Sequence, residues 1–204
     1  MAKARRLKNA WALWVIALAT VGITVAAELT APVANPLGAA IRGLALTGYQ
    51  LVFWAIVSSA YVPQLVRFFG RPFIKIHHLA SVTGLVCITL HPILVAVDSR
   101  SAGVFLPRFD SMQVFLQLGG RPAWYLIALA VAAALLRQRL GAGWRAVHMA
   151  NYVAFALATA HANLLGGNFQ SPVLRVGSWV LLAAMVAAFA RRRFVARRSA
   201  RRKA

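Results

Sequence analysis

The chain has 204 residues, of which 61% are hydrophobic and 13% are charged, and its mean hydropathy is +0.69. Soluble domains contain about 25% charged residues, so this composition excludes an ordinary soluble domain, a disordered chain and a collagen-like chain. The single cysteine, Cys87, excludes an internal disulfide and an iron–sulfur cluster with cysteine ligands.

Six apolar stretches follow one another along the chain, and most are long enough to cross about 30 Å of hydrocarbon as a helix. The predicted spans cover about residues 11–29, 44–66, 74–97, 117–136, 146–165 and 173–190. Glycine and proline residues separate most of them. The sequence therefore predicts an all-α membrane protein, a six-transmembrane-helix bundle that forms one domain over residues 1–190, followed by a basic cytoplasmic tail over residues 191–204.

The first stretch also resembles a secretory signal peptide, because it follows a basic N-terminus and contains Val25-Ala26-Ala27, a candidate cleavage site. Its apolar run is long for a cleaved signal, so we interpret it as an uncleaved first span. Cleavage would leave five spans and would not affect the histidine residues on the later spans.

The basic residues are distributed unevenly between the two sides of this bundle, within a net charge of +20. If both termini are cytoplasmic, 18 of the 23 Lys and Arg residues lie inside, and all three acidic residues lie outside. This bias follows the positive-inside rule and predicts an even number of spans. Because topology accounts for the charge, we predict contact with membrane lipid and no nucleic-acid partner.

All five histidines lie on two of the six predicted spans: His77, His78 and His91 on the third, and His148 and His161 on the fifth. Ionisable side chains inside a membrane are costly and mark functional sites. Separations of 14 and 13 residues each correspond to about 20 Å along a helix. His77 and His148 therefore lie near the inner face, and His91 and His161 near the outer face. Two such pairs of imidazoles can ligate two haem irons.

Helical phase distinguishes among these histidines. Around the helix axis, His77 and His91 are separated by about 40°, so they share a face, whereas His78 lies about 140° from His91. We therefore favour His77 as the ligand. His148 and His161 are also about 140° apart in an ideal helix. The second pair therefore requires a deformed or tilted helix, or haems at different azimuths.

Basic and polar residues near the histidines are candidates to contact the anionic propionates of haem, although each basic residue also fits a simple role in topology. Near the inner pair these residues are Arg71, Lys75 and Arg145. Near the outer pair they are Arg100, Arg121, Asn163 and Gln170.

Two segments around the histidines share a pattern with a known superfamily. They are His77-His78-Leu79 with Leu90-His91, and Trp144-Arg145-Ala146-Val147-His148 with Asn151-Tyr152 and His161. Together they resemble the ferric reductase-like transmembrane domain, which includes ferric-chelate reductases, NADPH oxidases and the MsrQ family of haem-binding subunits from bacterial methionine sulfoxide reductase systems. The resemblance covers about residues 43–190, and the segment around His148 is most similar to the MsrQ family.

The resemblance implies a b-type cytochrome of the bacterial inner membrane, with two haem b groups between the third and fifth helices. His77 and His148 would ligate the inner iron, and His91 and His161 the outer iron. The implied external acceptor is a protein such as a molybdenum-containing methionine sulfoxide reductase. No glycine-rich dinucleotide-binding fingerprint follows the last span, so we expect electrons from membrane quinol or a separate flavoprotein.

Three other functions stay open at this stage. One is reduction of ferric iron or oxygen at the outer face, and another is a non-redox transporter or proton-conducting bundle. The third is a structural subunit whose histidines are incidental. Against a proton relay, Glu28, Asp98 and Asp110 all fall at one face, and no inverted repeat is visible in the sequence.

Overall fold

The computed structural model describes residues 7–30 and 35–201, with side chains described as far as residue 194. The described residues form ten α-helices, three short 3-10 helices and no strand, so the prediction of an all-α chain is confirmed. The α-helices are α1 Ala10–Thr30, α2 Pro36–Ala60, α3 Val62–Phe69, α4 Phe73–Ser99, α5 Met112–Gln117, α6 Gly120–Leu135, α7 Arg137–Leu140, α8 Trp144–His148, α9 Ala150–Leu165 and α10 Pro172–Arg201. The 3-10 helices are Ala102–Phe105, Gly141–Gly143 and Gly167–Gln170.

Four of these helices are long and apolar enough to cross a membrane: α1, α2, α4 and the Pro172–Phe194 part of α10. Helices α6 and α9 have 16 residues each, or about 24 Å. They reach membrane length only when Gly120–Leu135 and Arg137–Leu165 are joined, and these two segments are bent by 80°. The described residues therefore contain four candidate spans, or five with the bent pair, as in a multi-pass membrane protein. Six spans stay a prediction.

The predicted boundaries are close at α1 and α4 and differ at α2. Helix α2 begins at Pro36, earlier than predicted, because the Asn35 side chain accepts a hydrogen bond from the Gly38 N–H at 2.6 Å and proline fits the first helical turn. It ends at Ala60, since Pro63 lacks the N–H that would continue the helix. The end of the predicted second span is therefore the separate helix α3.

Helix α10 continues past the predicted end of the last span, so the first part of the predicted basic tail is helical up to Arg201. Arg191 on this helix donates a hydrogen bond to the Ala60 carbonyl at 2.7 Å and lies over the Tyr61 ring at 4.3 Å. A basic side chain at the last carbonyls of α2 stabilises that helix terminus. The end of the predicted tail, residues 202–204, lies outside the described residues.

Helices α2 and α4 pack closely, and glycines occupy the points of nearest approach. A Cβ atom at Gly48 would lie 2.6 Å from Ile88 Cγ2 and 3.1 Å from the Ile88 backbone nitrogen. A Cβ atom at Gly84 would lie 3.1 Å from Leu51 Cβ. Small residues allow membrane helices to approach in this way. The α2–α4 pair faces a second packed pair, α6 with α9, across the interior of the bundle.

An aromatic and polar core joins α2, α9 and α10. The Tyr49 ring stacks on Phe155 with a centroid distance of 4.6 Å, and its hydroxyl lies 2.8 Å from Thr159 Oγ1. Asn163 donates to Ser178 Oγ at 2.8 Å, which ties α9 to α10. These bonds pair most of the polar groups of this core, although Asn163 Oδ1 has no hydrogen-bond partner among the described residues.

Helix α1 is attached to the bundle through a buried glutamine on α2. Gln50 Nε2 donates to Thr24 Oγ1 at 3.1 Å and to the Thr20 carbonyl at 3.4 Å. Large apolar side chains on the rest of α1 are exposed, including Trp11 and Leu18. Exposed apolar faces of this kind suit contact with lipid.

Candidate functional site

Each of the four predicted haem ligands makes a hydrogen bond through its Nδ1 atom with an oxygen on a different helix. The pairs are His77 with Ser58 Oγ at 3.0 Å, His91 with the Ile41 carbonyl at 3.0 Å, His148 with the Ala130 carbonyl at 2.9 Å, and His161 with the Gln117 carbonyl at 2.6 Å. Each of the four imidazoles is therefore held to a neighbouring helix through Nδ1.

These partners determine which ring nitrogen carries the proton. A carbonyl oxygen only accepts, so Nδ1 is the donor in His91, His148 and His161. Ser58 Oγ can accept from Nδ1 of His77 while its own proton goes to the Ala55 carbonyl at 3.1 Å. In a neutral imidazole the lone pair is then on Nε2, which is the arrangement found in histidines that bind metals.

His91 and His161 line one cavity of about 540 Å³ between α2, α4, α6 and α9. The Ala102–Phe105 and Gly167–Gln170 segments also contribute side chains to its lining, which is mostly apolar. Cofactor sites are apolar cavities of about 300–1,000 Å³ with a few polar groups. The volume and lining of this cavity fall within that range.

His77 and His148 line a second cavity, of about 90 Å³, which is smaller than the usual range for cofactor sites. Its lining is more polar and includes Tyr152, whose buried hydroxyl has no hydrogen-bond partner among the described residues. Val52 and Ile127 line both cavities and so lie between them. The two predicted histidine pairs thus lie in two separate, neighbouring cavities.

The helix that carries His148 and His161 is interrupted between them. Helix α8 ends at His148, Met149 lies in a turn, and α9 begins at Ala150. The sequence required a deformed or tilted helix, or haems at different azimuths, for this pair, because its two members are out of phase in an ideal helix. This interruption is such a deformation.

His78 differs from the other four histidines in its surroundings. Its side chain is exposed, its ring centroid lies 5.8 Å from that of His77, and it lines neither cavity. Within the described part of the chain, no hydrogen bond to its ring is present. The choice of His77 over His78 as a ligand stays a prediction.

The three basic residues predicted near the inner pair, Arg71, Lys75 and Arg145, are exposed and line neither cavity. Arg145 lies over the Trp144 ring at 5.8 Å. Arg192 of α10 lines the smaller cavity instead. Sequence reasoning missed Arg192 because this residue belongs to a run of arginines that the positive-inside rule already explains.

Of the four residues predicted near the outer pair, only one lines a cavity. Arg121 lines the larger cavity and donates to the Leu106 carbonyl at 2.6 Å. Arg100 ends α4 in a left-handed conformation, Asn163 belongs to the buried core, and Gln170 is exposed; none of these three lines either cavity.

Three cavity residues had no functional prediction from the sequence. Arg42 and Asn168 line the larger cavity, as does Gly120. A Cβ atom at Gly120 would lie 2.9 Å from Cδ2 and 3.0 Å from Nε2 of His161. In the sequence, the Gly119-Gly120 pair indicates only a break between helices, because its contact with His161 depends on how α6 and α9 pack.

The described residues contain no group of three or more His, Cys, Asp and Glu side chains that could hold a metal ion by themselves. The candidate ligands occur in pairs, and an iron already held by a porphyrin takes no more than two axial ligands. Pairs of histidines therefore fit a haem better than a bare metal ion.

Comparisons with protein-family models, with curated proteins and with solved structures found no match for the chain. The resemblance to the ferric reductase-like transmembrane domain therefore stays a prediction from the histidine pattern. The histidine geometry and the two cavities are the basis for assigning a function.

Proposed function

We propose that this chain is a di-haem b-type membrane cytochrome, similar to MsrQ, that transfers electrons across the membrane. His91 and His161 would hold the outer haem, and His77 and His148 the inner haem. One observation carries the proposal: all four imidazoles form a hydrogen bond through Nδ1, which leaves Nε2 available, and they line two cavities in the predicted pairs.

The larger cavity supports the outer site. Its volume of about 540 Å³ and its apolar lining suit a flat, largely apolar macrocycle. The hydrogen bonds from His91 and His161 to carbonyl oxygens would fix both rings and raise the basicity of Nε2. Haem iron in such a site supplies one-electron transfer by cycling between its ferric and ferrous states.

The smaller cavity must enlarge before the inner site can hold a macrocycle. At about 90 Å³ it admits a macrocycle only if side chains such as Val52 and Ile127 move apart. Arg192 and Tyr152 line it and are candidates to contact propionates, together with Arg71, Lys75 and Arg145 near the same face. We therefore expect the inner site to bind its haem more weakly than the outer site.

We further infer six spans, with α6 and α9 as the fourth and fifth, in a bacterial inner membrane with both termini cytoplasmic. The short helices α5 and α8 would lengthen these two spans at their ends. The excess of Lys and Arg on the inner side supports this orientation.

Electrons would enter at the inner face from membrane quinol or a separate flavoprotein and leave from the outer haem. The acceptor would be an external protein such as a molybdenum-containing methionine sulfoxide reductase, or else ferric iron or oxygen. Each haem would pass on one electron at a time. An acceptor that carries out a two-electron reduction would therefore receive its electrons from the outer haem in two successive transfers.

The proposal is tested by the optical spectrum of the chain purified after expression with ample haem. We expect a Soret band, a split α-band on reduction, and two haems per chain. His91→Ala and His148→Ala should each lose one haem, whereas His78→Ala should keep both, because His78 lines neither cavity. A colourless preparation with normal helical circular dichroism would refute the proposal.

A further inference from the structure

Two buried polar atoms in the lining of the larger cavity have no hydrogen-bond partner among the described residues. They are Arg42 Nε, a donor, and Asn168 Oδ1, an acceptor. Asn168 is only 7% exposed, and the Arg42 side chain is 24% exposed. Buried polar atoms are normally bonded to protein, water or ligand, so this pair marks a place where a ligand or an ordered water makes polar contacts.

Glu28 on α1 holds both residues. Its Oε2 accepts from Arg42 Nη2 at 3.2 Å, and its Oε1 accepts from Asn168 Nδ2 at 3.1 Å. Because an ionised carboxylate only accepts, the amide nitrogen of Asn168 must face Glu28, and Oδ1 is the atom left without a partner. Three separate elements, α1, α2 and the Gly167–Gln170 segment, thus meet at this point.

The chemistry of the two atoms restricts the ligand group. An apolar group would leave both atoms unpaired, and any group bonded to Arg42 Nε must be a hydrogen-bond acceptor. A carboxyl group satisfies both: it accepts a charge-assisted hydrogen bond from Arg42 Nε, and it bonds to Asn168 Oδ1 through its own proton or through one bridging water. The porphyrin proposed for this cavity carries carboxyl side groups.

We propose that Arg42 and Asn168 bind a carboxyl side group of the porphyrin in the larger cavity, and that Glu28 is a positioning residue for both. This inference rests on the proposed function. Arg121 also lines the cavity, but its guanidinium is bonded to the Leu106 carbonyl, and it has no buried unpaired atom among the described residues. Arg42 is therefore the better-placed cation for this group.

The test compares haem with its dimethyl ester, which lacks the ionisable carboxyl groups. A chain with His77→Ala, made in haem-limited cells to isolate the outer site, is titrated in detergent while the Soret band is followed. We expect it to bind haem at least about tenfold more tightly than the ester, as for a charge-assisted hydrogen bond. Adding Arg42→Gln or Asn168→Leu should remove most of this preference, and Glu28→Gln should reduce it.

Arg100→Gln is the matched control, because Arg100 is a second arginine from the predicted outer side but does not line the cavity. It should keep the preference for haem. The same titrations are repeated on the chain with His77 intact, in case His77→Ala does not fold. In that chain, Arg42→Gln should remove the preference for haem over the ester at one of the two sites.

The outcomes separate the two proposals. If the chain binds haem but Arg42→Gln and Asn168→Leu keep the full preference over the ester, the carboxyl site is wrong and the cytochrome proposal stands. If the chain with all five histidines binds neither haem nor the ester, both proposals are wrong. An equal loss of preference in Arg100→Gln would also contradict the carboxyl site, because it would indicate a general effect of positive charge.

Discussion

The Nδ1 atom of His161 lies 2.6 Å from the main-chain oxygen of Gln117, the last residue of α5. Carbonyls at a helix C-terminus have no partner within their own helix, so this oxygen is available to a side chain from α9. The contact determines the tautomer of His161. His91 and His148 also donate to main-chain carbonyls, so truncating a neighbouring side chain leaves these hydrogen-bond partners in place.

His77 is the exception, because its partner is the Ser58 side chain, so Ser58→Ala tests the role of this hydrogen bond. We expect the substitution to weaken haem binding at the inner site by about 10–100-fold, as for other outer-shell partners of ligating histidines. Haem titration and the midpoint potential of the inner haem measure the effect. Ser99→Ala is the control, because Ser99 Oγ donates to the Val95 carbonyl of its own helix and Ser99 lines neither cavity. Equal losses in the two variants would contradict the prediction.

Gly120→Ala should displace the His161 ring and reduce occupancy of the outer haem site. The new Cβ atom would lie 2.9–3.2 Å from three ring atoms, which is closer than packed side chains tolerate. We expect loss of one haem per chain, measured as the pyridine haemochrome, with the inner haem retained. Gly177→Ala should keep both haems, because nothing lies within 4 Å of a Cβ atom there. Full haem content in Gly120→Ala would indicate that the ring has another stable position.

Gly48→Ala should destabilise the protein by about 1–3 kcal/mol, the usual cost of overpacking. Its Cβ atom would lie 2.6 Å from Ile88 Cγ2 and would also meet the backbone of α4, so α2 and α4 would have to separate. A thermal unfolding experiment in detergent measures the loss as a lower Tm. Gly22→Ala on α1, where nothing lies within 4 Å, should be neutral or slightly stabilising. A Tm for Gly48→Ala equal to that of Gly22→Ala would contradict the packing described for α2 and α4.

The number of spans is tested with single cysteines at two exposed positions, Arg108→Cys and Gln138→Cys. In a six-span bundle they lie on opposite sides of the membrane, so an impermeant maleimide should label intact spheroplasts only at position 108. Opened membranes should be labelled at both positions. The native Cys87 is 8% exposed and should give a low background. If the bent pair is one span, position 138 lies within the membrane and should stay unlabelled in both preparations.

Properties that depend on local sequence were predicted well. Hydropathy alone predicted an all-helical chain and placed α1 and α4 within two residues of their observed ends. An apolar run of membrane length satisfies its own backbone hydrogen bonds in lipid only as a helix. Histidine spacing indicated which histidines lie at similar heights along their helices, and His91 and His161 do line one cavity and His77 and His148 another. Their role as haem ligands stays a prediction. The same reasoning was less accurate at α2, where Asn35 and Pro63 determine the ends through capping and a missing N–H.

The surroundings of the histidines depended on the tertiary structure. Nothing in the sequence links His91 to the carbonyl of Ile41, or Asn168 to Glu28, because these residues are 50 and 140 positions apart and meet only when the helices pack. Packing also brings Arg42 to the lining of the larger cavity and leaves Arg71, Lys75 and Arg145 exposed. The sequence by itself thus determined which segments are helical and how far apart the histidines lie along them. The packing of the helices decided which of them share a cavity, because contacts between distant segments follow from side-chain shape and not from periodicity.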